Sequence, residues 1–338
     1  MKGPVTEPVK GHMEEPVKGL SLARQYFDSY GDQFLAEAGR LDPSLPARMS
    51  IGLVGEGSQC FGYDDGLSCD HDFAPGFCVF VSDGDFQIYG PALKGIYDRL
   101  PDTFQGFSRE NMQAEDRLGV MSVSRFYGRL TGMPQTNLDW LFLTEASLAT
   151  AVNGQLWLTG CEEFVSVRNR LLNFYPEDVR RKKIAARAAV MSQAGQYNLL
   201  RSISRKEELP ALFAMSRFAE AAISMVHLLG RRYTPFYKWA FRSLQEMAET
   251  DPLAKKFCPA LKHMPDIQIL LRQGESEKAR ELAFNLTEAI CSDTAETLRR
   301  QNLSRSNSNF LQEHLTDIMS GIEDPQIRAM HPMIDPAV

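Results

Sequence analysis

Cysteine is scarce in this chain and nowhere closely paired. Its six cysteines, Cys60, Cys69, Cys78, Cys161, Cys258 and Cys291, include no CxxC. That argues against a disulfide scaffold and for reduced thiols in a cytoplasmic protein. Cys60, Cys69 and Cys78 are evenly spaced with His71 nearby, yet the spacing matches no common zinc module. Long apolar runs are missing too; none approaches a membrane span, so no membrane partner is expected. The first residues lack the charged-then-apolar plan of a secretory signal. They read "GPVTEPVKGHMEEPVKG", with EPVKG twice, and residues 1–19 are expected to form a flexible segment. Positive charge is not in excess. A net charge of -6 gives no bulk attraction for nucleic acid, though it leaves room for a local basic pocket. A GxSxG elbow is also absent, so a hydrolase triad finds no support.

What is present suits an ordinary globular chain: 338 residues, 43% hydrophobic and 24% charged. That length suggests two domains. "LSLARQYFDSYGDQFLAEAG" has apolar residues at helical spacing. "MSIGL" alternates like a strand and ends at glycines. "DHDFAPGFCVFVS" reads as a second strand. "GDFQIYG" reads as a third or as the start of a helix. "LGVMSVSRFYGRL" reads as a strand passing into a helix. After about residue 140 helical runs dominate. Pro176, Pro210 and Pro235 stand where helices would begin. The tail "MHPMIDPAV" is expected to fray or to dock without regular structure. The expected division is 1–19, 20–150 with the sheet, and 151–330 with the helices.

The chemistry concentrates in "GEGSQCFGYDDGLSCDHD", Gly55 to Asp72. A dinucleotide turn would need a third glycine where Cys60 stands, and a P-loop would need GK[ST]. Another layout uses the whole stretch. Gly57 lets backbone approach a phosphate, and Ser58 offers a hydroxyl and exposed N–H groups. Asp70 and Asp72, two apart on a strand, would share a face. Two such carboxylates repel unless a cation lies between them. Magnesium held by carboxylates and substrate phosphates meets that need. His71 would point to the other face. Asp64 and Asp65 serve as turn formers or as support for the site.

This run resembles the glycine-serine, loop, Asp-x-Asp signature of the DNA polymerase beta-like nucleotidyltransferase superfamily. More narrowly, it is similar to an uncharacterised bacterial family of nucleotidyltransferase-like proteins with a domain of unknown function (DUF4037-type). "YPEDV", "QAGQYNLLR" and "RRYTPFYKWAFRSL" carry the likeness on, to roughly residue 250. The resemblance implies an α+β fold, with a small mixed sheet followed by a helical domain. It implies magnesium at Asp70 and Asp72, nucleotide phosphates at Gly57 and Ser58, and transfer of AMP from ATP to an acceptor. A small-molecule acceptor is favoured over RNA or protein. A third carboxylate is usual on a later strand, and "LGVMSVSRFY" has none. Glu115, Asp116, Asp139 and Glu145 are the substitutes nearby. The alternative is a nucleotide-binding sensor on a weakened scaffold.

In the helical half, Thr234 is expected to cap a helix that Pro235 begins, with Lys238 in its first turn facing phosphate or solvated at the surface. Tyr233, Tyr237 or Trp239 would stack on a base, or serve as core. Gln193, Gln196, Asn198 and Arg201 fall at helical spacing, suiting a polar pocket or helix–helix bonding. Asn198 and Arg201 are kept as nucleotide or acceptor contacts. "VRRKKIAAR" reads as a solvated basic face, with Arg180, Arg181 or Lys183 as phosphate ligands the sharper alternative. His227 reads as a core histidine.

Overall fold

A computed structural model describes residues 17–66, 73–111, 117–132 and 138–336. The chain runs α1 (Gly19–Leu41), β1 (Ser50–Leu53), α2 (Ser58–Phe61), β2 (Cys78–Val81), α3 (Asp83–Asp98), β3 (Thr103–Phe104), β4 (Phe107–Ser108), β5 (Gly119–Ser122) and α4 (Val123–Thr131). Then follow α5 (Glu145–Val152), β6 (Gln155–Thr159), α6 (Glu162–Leu172), α7 (Glu177–Met191), a π-helical stretch Ser192–Leu199 and α8 (Leu200–Ser204). The last helices are α9 (Glu208–Leu229), α10 (Tyr237–Met247), α11 (Pro252–Arg272), α12 (Ser276–Arg300), α13 (Leu315–Ser320) and α14 (Pro325–Arg328). The architecture is α+β, with mixed sheets before a largely helical region. Two compact units divide it: Met1–Arg129 with Thr150–Asn169, and Leu130–Ala149 with Arg170–Val338. The chain therefore crosses between units three times, not once near residue 150.

The first unit is built on a four-stranded sheet ordered β5-β2-β1-β6. β1 is antiparallel to β2 and β6, while β2 and β5 are parallel. Side chains of β2 alternate, as a two-residue period requires. Val79 and Val81 join Tyr26 and Phe34 of α1 and Leu93 and Ile96 of α3 in one buried cluster. Phe80 faces the other way and stacks on Phe164 of α6 at 4.0 Å, beside Phe126 of α4. Burial of these rings is the main stabilising term.

Several expectations change here. β2 spans only Cys78–Val81, and the described residues before it, 73–77, are not strand. Pro75 has no N–H for a ladder, and Gly76 sits at φ +154. A side chain on Gly76 would meet the Tyr97 hydroxyl at 2.7 Å. "GDFQIYG" is helix, because Ser82 caps α3 by accepting the Asp85 N–H and Asp83 and Asp85 complement the first turn. β6 was hidden within the helical half, and it completes the sheet of the first unit. Its pairing with β1 needs a bulge at Gly52, where a Cβ would collide with the Gln155 carbonyl.

The second unit is helical. α9 is long and apolar enough to cross a bilayer by length and composition, and most of it is buried. Ala211, Phe218, Ala222, Met225 and Val226 are all in the core, as in a central helix of a bundle. The π-helical turn changes the register expected for "QAGQYNLLR". Gly195 sits within it because a Cβ there would enter the Phe218 ring.

Candidate functional site

In the first unit, β1 ends in a turn that only glycine adopts easily. Gly55 has φ +111 and Gly57 φ +106. The Asn153 side chain clamps Gly55 at both backbone groups. It accepts the Gly55 N–H at 2.8 Å and donates to the Gly55 carbonyl at 2.7 Å. The Phe126 ring lies 3.1 Å from where a Gly55 Cβ would be. Gly57 precedes α2, a single helical turn beginning at Ser58. Both are partly exposed. The Arg117 guanidinium lies beside Gly57, with Nη1 3.7 Å from the position of a Cβ. Arg129 pairs with Glu56 at 3.3 Å. Asn153 and Arg117 went unnoticed in the sequence, since neither lies near the glycines in the chain.

Asp70, His71 and Asp72 lie outside the described residues, as do Glu115 and Asp116. Asp64 is buried and accepts the Gly19 N–H at 2.6 Å, capping α1 from a distant loop. It is thus a tertiary helix cap. Asp65 is exposed. Cys60 and Cys78 are buried, and burial pushes Cys78 up to about 12 and Cys60 well above its ordinary value. Both therefore stay protonated near neutral pH. Cys69 lies outside the described residues, and among those described no group of three or more His, Cys, Asp and Glu is arranged to hold a metal.

The second unit contains its own cavity of about 520 Å³, open to solvent and lined by both charged and apolar side chains. Its floor comes from α7, and here the basic run departs from the solvated face expected. Arg180, Lys182 and Lys183 are at most 3% exposed. Arg180 is spent on structure, donating to the Leu228 carbonyl, Glu177 and Gln301. Lys183 and Arg187, one helical turn apart, face the cavity. Arg187 donates to Glu145 at 2.9 Å and to Ser224 at 2.7 Å. Ser224 in turn donates to Glu145 at 2.7 Å. The Thr234 hydroxyl also donates to Glu145. Burial opposes the charge of Arg187, but Glu145 and Asp335 outweigh it and hold its pKa above the ordinary value.

Asp335 comes from the tail, which docks. Its carboxylate meets Lys183 Nζ at 3.1 Å and Arg187 Nη1 at 2.9 Å. Lys182 donates to the carbonyls of Pro332 and Ile334. Around the rim stand Arg217, Glu220 and Tyr237, all exposed.

The remaining sequence candidates fall elsewhere. Thr234 does not cap α10. Phe236 is its N-cap and Tyr237 its first residue, because the Thr234 hydroxyl is engaged by Glu145. Lys238 is exposed in the first turn, with Nζ 5.0 Å from the Trp239 ring centre. Tyr233 is core, packed on Phe174 and Tyr175, with its hydroxyl on the Leu171 carbonyl. Asn198 and Arg201 are exposed, and Arg201 lies over Tyr197. Lys238, Asn198 and Arg201 do not line the cavity. Gln196 binds Glu288 and the backbone of Asn309 and Leu311, which is helix-to-loop bonding. His227 is a buried core histidine, its pKa lowered by burial, bonded to Ile223 and Ser243. Asp139 is exposed in a turn. Glu145 is already committed to Arg187, Ser224 and Thr234.

Residues 140–240, less than a third of the chain, match a family described as a domain of unknown function (DUF4037). No curated protein and no solved structure matches the chain. The matched stretch includes every residue lining the cavity except Asp335.

Proposed function

We propose that the chain is a nucleotidyltransferase that moves a nucleoside monophosphate, AMP from ATP, onto an acceptor of small size. The observation that carries this reading is the turn after β1. Asn153 fixes the buried Gly55 at both backbone groups, and the left-handed Gly57 after it leaves partly exposed backbone without a covering Cβ. A phosphate can approach such backbone closely, as it cannot where a Cβ intervenes. Ser58 adds a hydroxyl, and Arg117 beside Gly57 adds a charge suited to phosphate oxygens.

Asp70 and Asp72 supply only oxygen donors, and that donor set fits a hard divalent cation such as magnesium. When bound there, the ion would polarise the reacting phosphate and stabilise charge on departing pyrophosphate. The chain's own part is positional. The turn holds the phosphate tail, and Arg117 offsets its charge. Lys238, Asn198 and Arg201 are kept in this reading as nucleotide or acceptor contacts. In the test, labelled ATP with magnesium is incubated with the protein and a fractionated metabolite extract. Transfer with pyrophosphate release is expected, and Asp70→Ala combined with Asp72→Ala should abolish it. Undiminished transfer in the double variant refutes the proposal.

One observation favours a second reading, a nucleotide-binding sensor on the same scaffold. β5, parallel to β2, has the sequence GVMS and carries no carboxylate. Such a sensor would bind MgATP and release no pyrophosphate with any acceptor.

A further inference from the structure

We infer that the cavity of the second unit is a binding site for a small ligand bearing an oxyanion, a phosphate or a carboxylate, and that the Asp335 carboxylate occupies the anion position in its absence. Three observations lead there.

The first is the floor. Lys183 and Arg187 project one turn apart from α7, and each takes one oxygen of the same carboxylate, at 3.1 and 2.9 Å. Lys183 is 1% exposed and Arg187 13%. Two cations converging on one oxyanion at a buried floor form a fork for phosphate or carboxylate. Glu145 answers only part of this charge, since it shares Arg187 and its other bonds go to Ser224 and Thr234.

The second is how weakly the tail is otherwise held. After α14 ends at Arg328 the tail has no regular structure beyond turns. Its largest apolar residue, Ile334, is 53% exposed. Met330 and Met333 are half-buried, and none of its described apolar residues is fully buried. Among the described residues its polar attachments include the Asp335 ion pairs and the two carbonyls on Lys182. An attachment that is mostly electrostatic can be exchanged for another anion, because the floor keeps its compensation.

The third is the room beside the anion position. A volume of about 520 Å³ suits a small metabolite. Val190, Ala221 and Pro235 give apolar wall, and exposed Tyr237 stands at the rim. Asp335 fills only the charged end. It is also the one lining residue that lies outside the matched stretch 140–240.

The inference does not rest on nucleotidyl transfer, and its test contains neither nucleotide nor magnesium. Full-length wild type and Asp335→Ala are titrated calorimetrically with inorganic phosphate, and separately with acetate, at constant ionic strength set by potassium chloride. Asp335→Ala should bind one of the two at least tenfold more tightly than wild type. Adding Arg187→Met to Asp335→Ala should remove that binding. Tighter phosphate identifies a phosphoryl ligand, and tighter acetate a carboxylate. Equal affinity in wild type and Asp335→Ala, for both anions, overturns the inference. Should Asp335→Ala fail to fold, hydrogen exchange on wild type decides. Saturating phosphate or acetate should raise exchange in residues 330–336 at least threefold over chloride. Unchanged exchange with both anions overturns it.

Discussion

Glu145→Ala is the sharpest probe of the second unit. The Glu145 side chain is 6% exposed and accepts from Arg187, Ser224 and Thr234. Alanine leaves Arg187 buried with Asp335 as its sole carboxylate, and leaves the Thr234 hydroxyl without its acceptor. Removing one partner of a buried pair costs about 3–5 kcal/mol where the other charge is left uncompensated, and because Arg187 keeps Asp335 the loss should lie at the lower end of that range. The unpaired hydroxyl contributes within that range, at about 1 kcal/mol. The total is a large share of an ordinary stability of about 5–15 kcal/mol. For a unit of this size it corresponds to a fall in melting temperature of roughly 10 °C. The assay is urea unfolding followed by tryptophan fluorescence in a Trp157→Phe background. Trp140 and Trp239 then remain, and both lie in the second unit. Glu145→Ala combined with Arg187→Met should cost less than the sum of the two single changes, by at least about 1 kcal/mol. A single-variant loss below about 1 kcal/mol, or strict additivity, refutes the reasoning.

Two further outcomes are expected. Gly57→Val places a branched side chain at φ +106 beside Arg117. It should cost about 1–3 kcal/mol in the first unit and lower MgATP affinity at least tenfold, read by equilibrium binding; unaltered affinity removes the turn from the proposed site. Lys182 is pushed down to about 8, by burial first, with Lys183 and Arg187 adding repulsion and Asp335 opposing. Between that value and its ordinary one near 10.5 the unfolded chain binds more protons, so unfolding free energy should rise with pH. Lys182→Met should flatten that rise between pH 8 and 10 in urea titrations; an equal slope in both proteins counts against the buried charge.

The α+β class and most helices were legible because they rest on local pattern. α1 follows from apolar spacing, whereas "GDFQIYG" at the start of α3 stayed open between strand and helix until the Ser82 cap decided it. The glycine turn was legible because φ near +110 admits little but glycine. β6 was not, because "QLWLT" is a short edge strand whose pairing partner lies a hundred residues earlier in β1. Nor was the extent of β2, which Pro75 and the Tyr97 contact at Gly76 cut short.

The candidate sites show the same division. Chain order alone placed Gly57 next to Ser58, and the residue types determined what that turn can hold. It could not say that Asn153 clamps Gly55 or that Arg117 stands beside Gly57, since both contacts join distant segments. The basic run "VRRKKIAAR" marks the limit most clearly. Charge favours water when a helix is taken alone, so a solvated face was the right expectation from composition. Packing of α7 in the second unit buried Lys182 and Lys183. Only the tertiary fold supplied the Asp335 carboxylate and the tail carbonyls that compensate them. The sequence determined the supply of charge. The fold decided which charges leave water, because compensation of a buried ion depends on neighbours that chain order does not reveal.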